Sequence, residues 1–194
     1  MLKTALLTLL ALSIAIGGGA ASVWYALKEE EAIGALAIGG WTTYPDIGTP
    51  HADPYSKAKV AREGLLALGR AEGLAFTATH DAAGDPLLRQ CAYRMEGTLP
   101  SARFWTLHAT DLQGGVIRSG TPRAVALDSY EAIRQPDNSV VITVGAHPAP
   151  GNWLAISGTG PMSFVLILYD TTIATSTEIA GVELPQILKV GCDA

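Results

Sequence analysis

Residues 163–170 of this chain read SFVLILYD, and this short run decides the class of fold. Apolar side chains occupy every position from Phe164 to Tyr169. A continuous apolar run of this length, bounded by turn residues, is typical of a strand that is covered on both faces. We therefore predict that SFVLILYD is an interior strand at the centre of a sheet.

Further short runs precede this strand, and most of them alternate between apolar and polar residues. They are LAFTATH (74–80), LLRQCAYRM (87–95), ARFWTLHATD (102–111), AVAL (124–127) and SVVITVG (139–145). The DAAGDP segment after the first run is rich in turn residues and predicts that the first two runs form a β-hairpin. Many short strands separated by Gly- and Pro-containing turns predict a mainly β fold, an antiparallel, jelly-roll-like β-sandwich.

One amphipathic helix is predicted ahead of the strands. Asp53 provides an N-cap side chain, and Pro54 suits the first helical position. Residues then recur at helical spacing as far as Leu65. The pattern predicts a helix from Pro54 to about Leu68.

The N-terminal segment is strongly apolar. Between Leu2 and Leu27 the only charged residue is Lys3, and about 20 apolar residues suffice to cross a bilayer as a helix. Trp24 and Tyr25 stand where aromatic residues of a membrane interface are expected. An uncleaved transmembrane anchor and a cleaved secretory signal both fit this pattern, and the lack of a clean A-x-A cleavage site favours the anchor.

Either alternative exports the rest of the chain. We expect a single-pass protein of the inner (cytoplasmic) membrane that contacts the lipid bilayer through residues 2–27 and places its C-terminal domain in the periplasm. The predicted organisation is an anchor over residues 1–28, a flexible connector over residues 29–40 and a β-sandwich domain over residues 41–194.

The chain has two cysteines, Cys91 and Cys192. In an oxidising compartment such a pair favours a disulfide, which would tie the C-terminal tail to a strand far earlier in the sequence. Two unpaired buried thiols are the alternative.

No catalytic, cofactor or metal site is assigned from the sequence. The net charge of -5 and the lack of any Lys/Arg run argue against a nucleic-acid partner. The four histidines form neither an H-E-x-x-H nor an H-x-H pattern. The sequence also has no G-x-S-x-G elbow, phosphate-binding loop or dinucleotide fingerprint.

Four residues are candidates for ligand or partner contacts. Arg62, Arg103 and Arg123 could line a site for an anionic or sugar-like ligand, because a guanidinium recognises carboxylate and phosphate; internal salt bridges that hold the helix to the sandwich are the alternative. Trp153 lies in GNWL (151–154), which we predict to be a loop that closes one end of the sandwich with a buried indole. A Trp153 displayed for ligand stacking is the other possibility.

Three segments carry a resemblance to a known family. They are ADPYSKAKVAREG (52–64), ARFWTLHATD (102–111) and PAPGNWLAISGTGPMSFVLILYD (148–170). Through them the chain resembles a bacterial exported family known as domain of unknown function 1214, from about Trp41 to Val190, and it looks like the short, membrane-anchored form. The resemblance implies a jelly-roll β-sandwich and a protein partner of the related type called domain of unknown function 1254. The family has no established catalytic residues to transfer.

Two functions remain open from the sequence. The first is a membrane-anchored periplasmic binding or accessory module of a cell-envelope complex. The second is a small periplasmic hydrolase or carbohydrate-active enzyme that uses the sandwich cavity. A filled cavity with an exposed apolar patch would favour the module, and an open pocket holding His or paired carboxylates would favour the enzyme.

Overall fold

The computed structural model describes residues 2–28, 34–63, 67–120, 124–175 and 179–192. It begins with helix α1 (Leu2–Lys28), and the described side chains of this helix are exposed. By length and composition, the part Leu2–Tyr25 is apolar enough to cross a membrane, a property that a signal sequence shares.

The rest of the described chain is mainly β. Its elements are β1 (Leu36–Ile38), β2 (Trp41–Thr43), α2 (Pro54–Glu63), β3 (Gly73–Ala78), β4 (Cys91–Gly97), β5 (Ala102–Thr110), β6 (Ala126–Asp128), β7 (Val140–Gly145), β8 (Asn152–Ala155), β9 (Ser163–Thr171), two short 3-10 helices (Thr172–Thr175 and Ile179–Gly181) and β10 (Gln186–Cys192). The strands form a six-stranded sheet in the order β1-β2-β3-β9-β5-β6 and a four-stranded sheet in the order β10-β4-β7-β8. The predicted mainly β fold is confirmed.

Strand β9 lies in the interior of the six-stranded sheet, as its sequence predicts. It pairs with β3 on one side and β5 on the other, both antiparallel. Phe164, Leu166 and Leu168 are buried on its inner face, and Val165 and Ile167 are half-buried on its outer face. The run is continuously apolar because both faces of the strand carry apolar side chains.

Side chains from both sheets pack into one core. Phe76 and Trp105 of the six-stranded sheet belong to the same buried cluster as Tyr93 and Ile142 of the four-stranded sheet. The rings of Tyr93 and Phe164 meet edge to face across the sheets, with centroids 5.9 Å apart and planes at 82°, an arrangement that aromatic pairs favour. The two sheets therefore form one folded unit.

Three turns share one five-residue geometry. In each, the first N–H donates to the fifth carbonyl at 2.8–2.9 Å, and the fourth residue has a positive φ, at Gly84, Gly114 and Asn138. Glycine and asparagine tolerate this left-handed conformation. The turns cover residues 81–85, 111–115 and 135–139, and the first of them lies in the DAAGDP segment that the sequence predicts as a turn.

The predicted hairpin between the first two β runs is wrong. Strand β3 pairs with β2 and β9, whereas β4 pairs with β10 and β7 in the other sheet. The 81–85 turn closes only an isolated bridge between His80 and Pro86. Leu87 is then fully buried, because the chain crosses the core at this point to enter the second sheet.

Several further segments differ in detail from the sequence-based expectation. Residues 151–154, predicted as a loop, enter strand β8, which runs parallel to β7. Residues 36–38, within the predicted connector, form β1 and pair with β2. Helix α2 begins at Pro54 as predicted and is described as Pro54–Glu63. Residues 64–66 of the predicted helix lie outside the described residues, and residues 67–68 are not helical.

The predicted disulfide between Cys91 and Cys192 is present. The two residues lie directly opposite each other in the antiparallel pair of β4 and β10. Because β10 is an edge strand, the disulfide fixes the C-terminal end of the described chain to the four-stranded sheet.

Candidate binding surface

The structure describes two of the three candidate arginines, Arg62 and Arg103. Arg103 begins β5 and pairs with Asp170 of β9, with Nε 3.2 Å from Oδ2, and both side chains are largely exposed. Arg62 is exposed in the last turn of α2. Arg123 lies outside the described residues. The interactions of the described residues give Arg62 and Arg103 no common partner, so a shared ligand site for the arginines stays a prediction.

Trp153 is held inside the protein. Its side chain lies on β8 with 7% exposure, and its indole Nε1–H donates to the Gly145 carbonyl at 3.1 Å. The neighbouring Asn152 amide exchanges two hydrogen bonds with the backbone of Ile133, at 2.7 and 2.8 Å. The region is thus a packed edge of the four-stranded sheet. The Asn152 amide provides hydrogen-bond partners for the backbone N–H and C=O of Ile133, in a loop that lies against this edge.

The outer face of the six-stranded sheet carries uncharged side chains along two neighbouring strands. We define it by the half-buried residues of the neighbouring interior strands β5 and β9 that point away from the core, which are Phe104, Thr106, His108, Val165, Ile167 and Tyr169. None of these side chains carries a permanent charge. The face that a sandwich turns to water is normally polar, so an apolar outer face marks a surface suited to a partner.

Three aromatic rings form a strip across one end of this face. The ring centroid of Phe104 lies 5.8 Å from that of Tyr169 on β9 and 5.3 Å from that of Tyr130, which follows β6. Both pairs have an interplanar angle of 35°. We call Tyr169, Phe104 and Tyr130 the aromatic row.

A carboxylate positions the outermost ring of the row. Asp128, at the end of β6, accepts the backbone N–H groups of Tyr130 and Glu131 at 2.8 and 3.1 Å through one oxygen, Oδ1. This turn leaves Tyr130 with 82% of its surface exposed. A tyrosine ring presented to water at that level, beside two other rings, is available for contact with another molecule.

His108 lies on the same face, two rows from the aromatic row. It is directly opposite Val165 on β9 and Ala126 on β6. Burial among these apolar neighbours lowers the pKa of His108 below its ordinary value, because desolvation disfavours the charged imidazolium. Burial at this position therefore favours the neutral imidazole of His108.

The sequence holds only part of the signal for this surface. Alternation along β5 places Phe104 and His108 on one face. The strand β9, which pairs with β5 and supplies the rest of the face, is far away in sequence. Tyr130 lies in a turn, where no periodicity assigns a face. Within the described residues, no group of three His, Cys, Asp or Glu side chains is suited to hold a metal ion.

The fold defines a class: a two-sheet β domain preceded by a long apolar helix. Residues 72–173 match the family model described as "Protein of unknown function (DUF1214)", so the chain belongs to that family. No curated protein matches the sequence.

Two solved structures are similar. A protein from Vibrio parahaemolyticus is 16% identical with a TM-score of 0.58, and the match covers 72% of this chain and 36% of that chain. An uncharacterised protein from Burkholderia cenocepacia is 18% identical with a TM-score of 0.44, covering 95% of this chain and 53% of that chain. The first likeness agrees with the fold, and this chain spans about a third of that protein's length.

Proposed function

We propose that this protein is a membrane-anchored binding or accessory module of a cell-envelope complex. The observation that carries the proposal is the apolar outer face of the six-stranded sheet, whose side chains are only half-buried. A partner that covered this face would remove apolar surface from water, at about 25 cal/mol per Å². The packed core between the sheets and the buried indole of Trp153 support binding at the outer surface.

In this proposal helix α1 holds the domain at the inner membrane. The predominantly apolar span Leu2–Tyr25 supports lipid contact, and Trp24 and Tyr25 would lie at the interface. The two-sheet domain then faces the periplasm, where a disulfide is stable. Deletion of residues 2–27 should release the protein from the membrane fraction, and mass spectrometry of the membrane-extracted protein should find residues 1–28 attached. A mature N-terminus beyond residue 22 would replace the anchor with a cleaved signal.

The partner expected from the family resemblance is a protein of the related type called domain of unknown function 1254. It would dock on the outer face of the six-stranded sheet. The match to the Vibrio protein covers 72% of this chain but only 36% of that longer protein. This is compatible with a domain that functions together with another protein or domain.

The test compares capture of membrane proteins by two matched variants. Ile167 lies at the centre of the outer face, opposite Ala75 and Thr106, and Thr143 lies on the central strand β7 of the other sheet. We expect Ile167→Lys to lose a protein that co-purifies with the wild type from gently solubilised membranes, and Thr143→Lys to keep it. Thermal melts establish that both variants are folded. Equal capture by both variants would remove the outer face from the proposed function.

A further inference from the structure

We propose that the aromatic row binds the guanidinium or ammonium group of an arginine- or lysine-bearing segment of a partner protein. The inference rests on the proposed function and names the chemistry of its partner. It assigns a cationic ligand to Tyr169, Phe104 and Tyr130.

The three aromatic rings of the row can attract a positively charged group. The face of an aromatic ring carries negative electrostatic potential and attracts a cation placed within about 6 Å of its centroid. The centroids of the row are spaced at 5.3 and 5.8 Å, with both interplanar angles at 35°, so the rings form one strip rather than an enclosed cage. A planar guanidinium can stack on such a strip. The strip is longer than one ammonium group, which favours a chain segment over a small free cation.

Acidic side chains lie next to the aromatic row in the sequence. Asp128 and Glu131 flank Tyr130 and form no ion pair with the described residues. The carboxylate of Asp170, next to Tyr169, is offset by Arg103. The charge near the row is therefore negative, which attracts a cation and repels an anion. This sign is opposite to that of the anionic ligand predicted from the arginines.

Asp128 contributes in two ways, through hydrogen bonds that position Tyr130 and through its negative charge. Oδ1 accepts the two backbone N–H groups that place Tyr130, and the negative charge of the carboxylate has no ion-pair partner among the described residues. The substitution Asp128→Asn keeps the acceptor oxygen and removes the charge. It can therefore separate the electrostatic contribution from the positioning of Tyr130.

The experiment measures binding of short labelled peptides to the full chain in a non-ionic detergent by fluorescence anisotropy at low salt. The probes are Gly-Arg-Gly-Arg-Gly, the same peptide with citrulline in place of arginine, and the same peptide with glutamate. We expect the arginine peptide to bind at least about threefold more tightly than the citrulline peptide, and added salt to weaken it. The variant Tyr130→Ala should weaken the arginine peptide by about two- to fivefold, the range for a cation–π contact at an exposed site.

Matched control variants distinguish binding at the aromatic row from nonspecific binding to other exposed residues. Tyr55, an exposed aromatic on helix α2, is changed in Tyr55→Ala, and the exposed Glu183 is changed in Glu183→Gln. Both should bind like the wild type, whereas Asp128→Asn and Glu131→Gln should bind more weakly and with less dependence on salt. Circular dichroism establishes that every variant is folded.

Three results would overturn the inference. They are equal binding of the arginine and citrulline peptides, preference for the glutamate peptide, and unchanged binding by Tyr130→Ala. Tetramethylammonium competing as well as the arginine peptide, at equal concentration, would also overturn it, since the ligand would then be a small quaternary cation. If the peptides fail while partner capture still depends on Ile167, the binding module stands and only the cationic chemistry of its partner is wrong.

Discussion

The outer faces of the two sheets differ although the sheets share one core. The outer face of the six-stranded sheet carries the half-buried Phe104, Ile167 and Tyr169 on the neighbouring strands β5 and β9. The four-stranded sheet exposes Arg94 and Glu96 on β4, whose side chains form an ion pair at 2.8 Å. On β4 the four-stranded sheet thus carries a charged pair, where β5 and β9 carry uncharged side chains, and this contrast is the basis for proposing the six-stranded sheet as the binding side.

The largest predicted effect concerns the four-stranded sheet, where a covalent bond holds an edge. The disulfide spans a sequence separation of 101 residues, and closing so long a loop stabilises the folded state by roughly 4 kcal/mol in the chain-entropy model. Cys192→Ser should lower the free energy of unfolding by about that amount in denaturant titrations. Reductant should destabilise the wild type similarly and leave the variant unchanged; a variant as stable as the wild type would show that the bond contributes little.

A second prediction contrasts one aromatic residue near each sheet. Trp153 is 7% exposed and hydrogen-bonded to Gly145, whereas Tyr130 is 82% exposed. Trp153→Ala should lower the free energy of unfolding by about 3 kcal/mol or more. Tyr130→Ala should change it by less than about 0.5 kcal/mol. Thermal and denaturant melts without any ligand measure both, and a neutral Trp153→Ala would mean that this indole serves a partner instead of the fold.

A smaller effect is expected outside both sheets, at the start of α2. Asp53 accepts the N–H groups of Tyr55 and Ser56 at 2.9 and 3.1 Å. The Ser56 side chain, followed by these backbone donors, lowers the pKa of Asp53 against the opposing effect of burial. Asp53→Ala should cost about 1 kcal/mol of stability and Asp53→Asn much less, as measured by chemical denaturation. Equal losses would mean that the charge matters more than the cap.

The smallest expected effect tests whether His108 is desolvated on the outer face of the six-stranded sheet. Because burial lowers the pKa of His108 below 6.5, the unfolded chain takes up this proton more readily than the folded one. The resulting contribution to stability is complete above pH 6.5 and is lost as the pH falls through the lowered folded-state value. His108→Gln should therefore lose less stability than the wild type between neutral and mildly acidic pH. Parallel pH profiles would indicate a hydrated His108.

The sequence predicts the centre of the fold better than its edges. Strand β9 was predictable because both of its faces are apolar, and the turns because their left-handed residues are Gly or Asn. The hairpin prediction failed because a local turn signal does not say whether the next strand stays in the same sheet. Strands β1, β2, β8 and β10 were not predicted, since three are at most four residues long and β10 has weak alternation.

The candidate surface was less predictable than the fold. The sequence singled out Arg103 and Trp153, and the structure places one in an ion pair and the other inside the protein. The aromatic row unites residues from β5, β9 and the turn after β6, which only strand pairing brings together. Long-range register of this kind depends on the whole core, and no local pattern contains it.

The central claim is that the outer face of the six-stranded sheet contacts a partner and that of the four-stranded sheet does not. Site-specific photocrosslinking in intact cells tests it most directly, with a photo-reactive phenylalanine analogue placed at position 167 or, as the control, at position 143. The account predicts a discrete cross-linked species from position 167 and none from position 143. Cross-links of equal yield from both positions, or from position 143 alone, would contradict it.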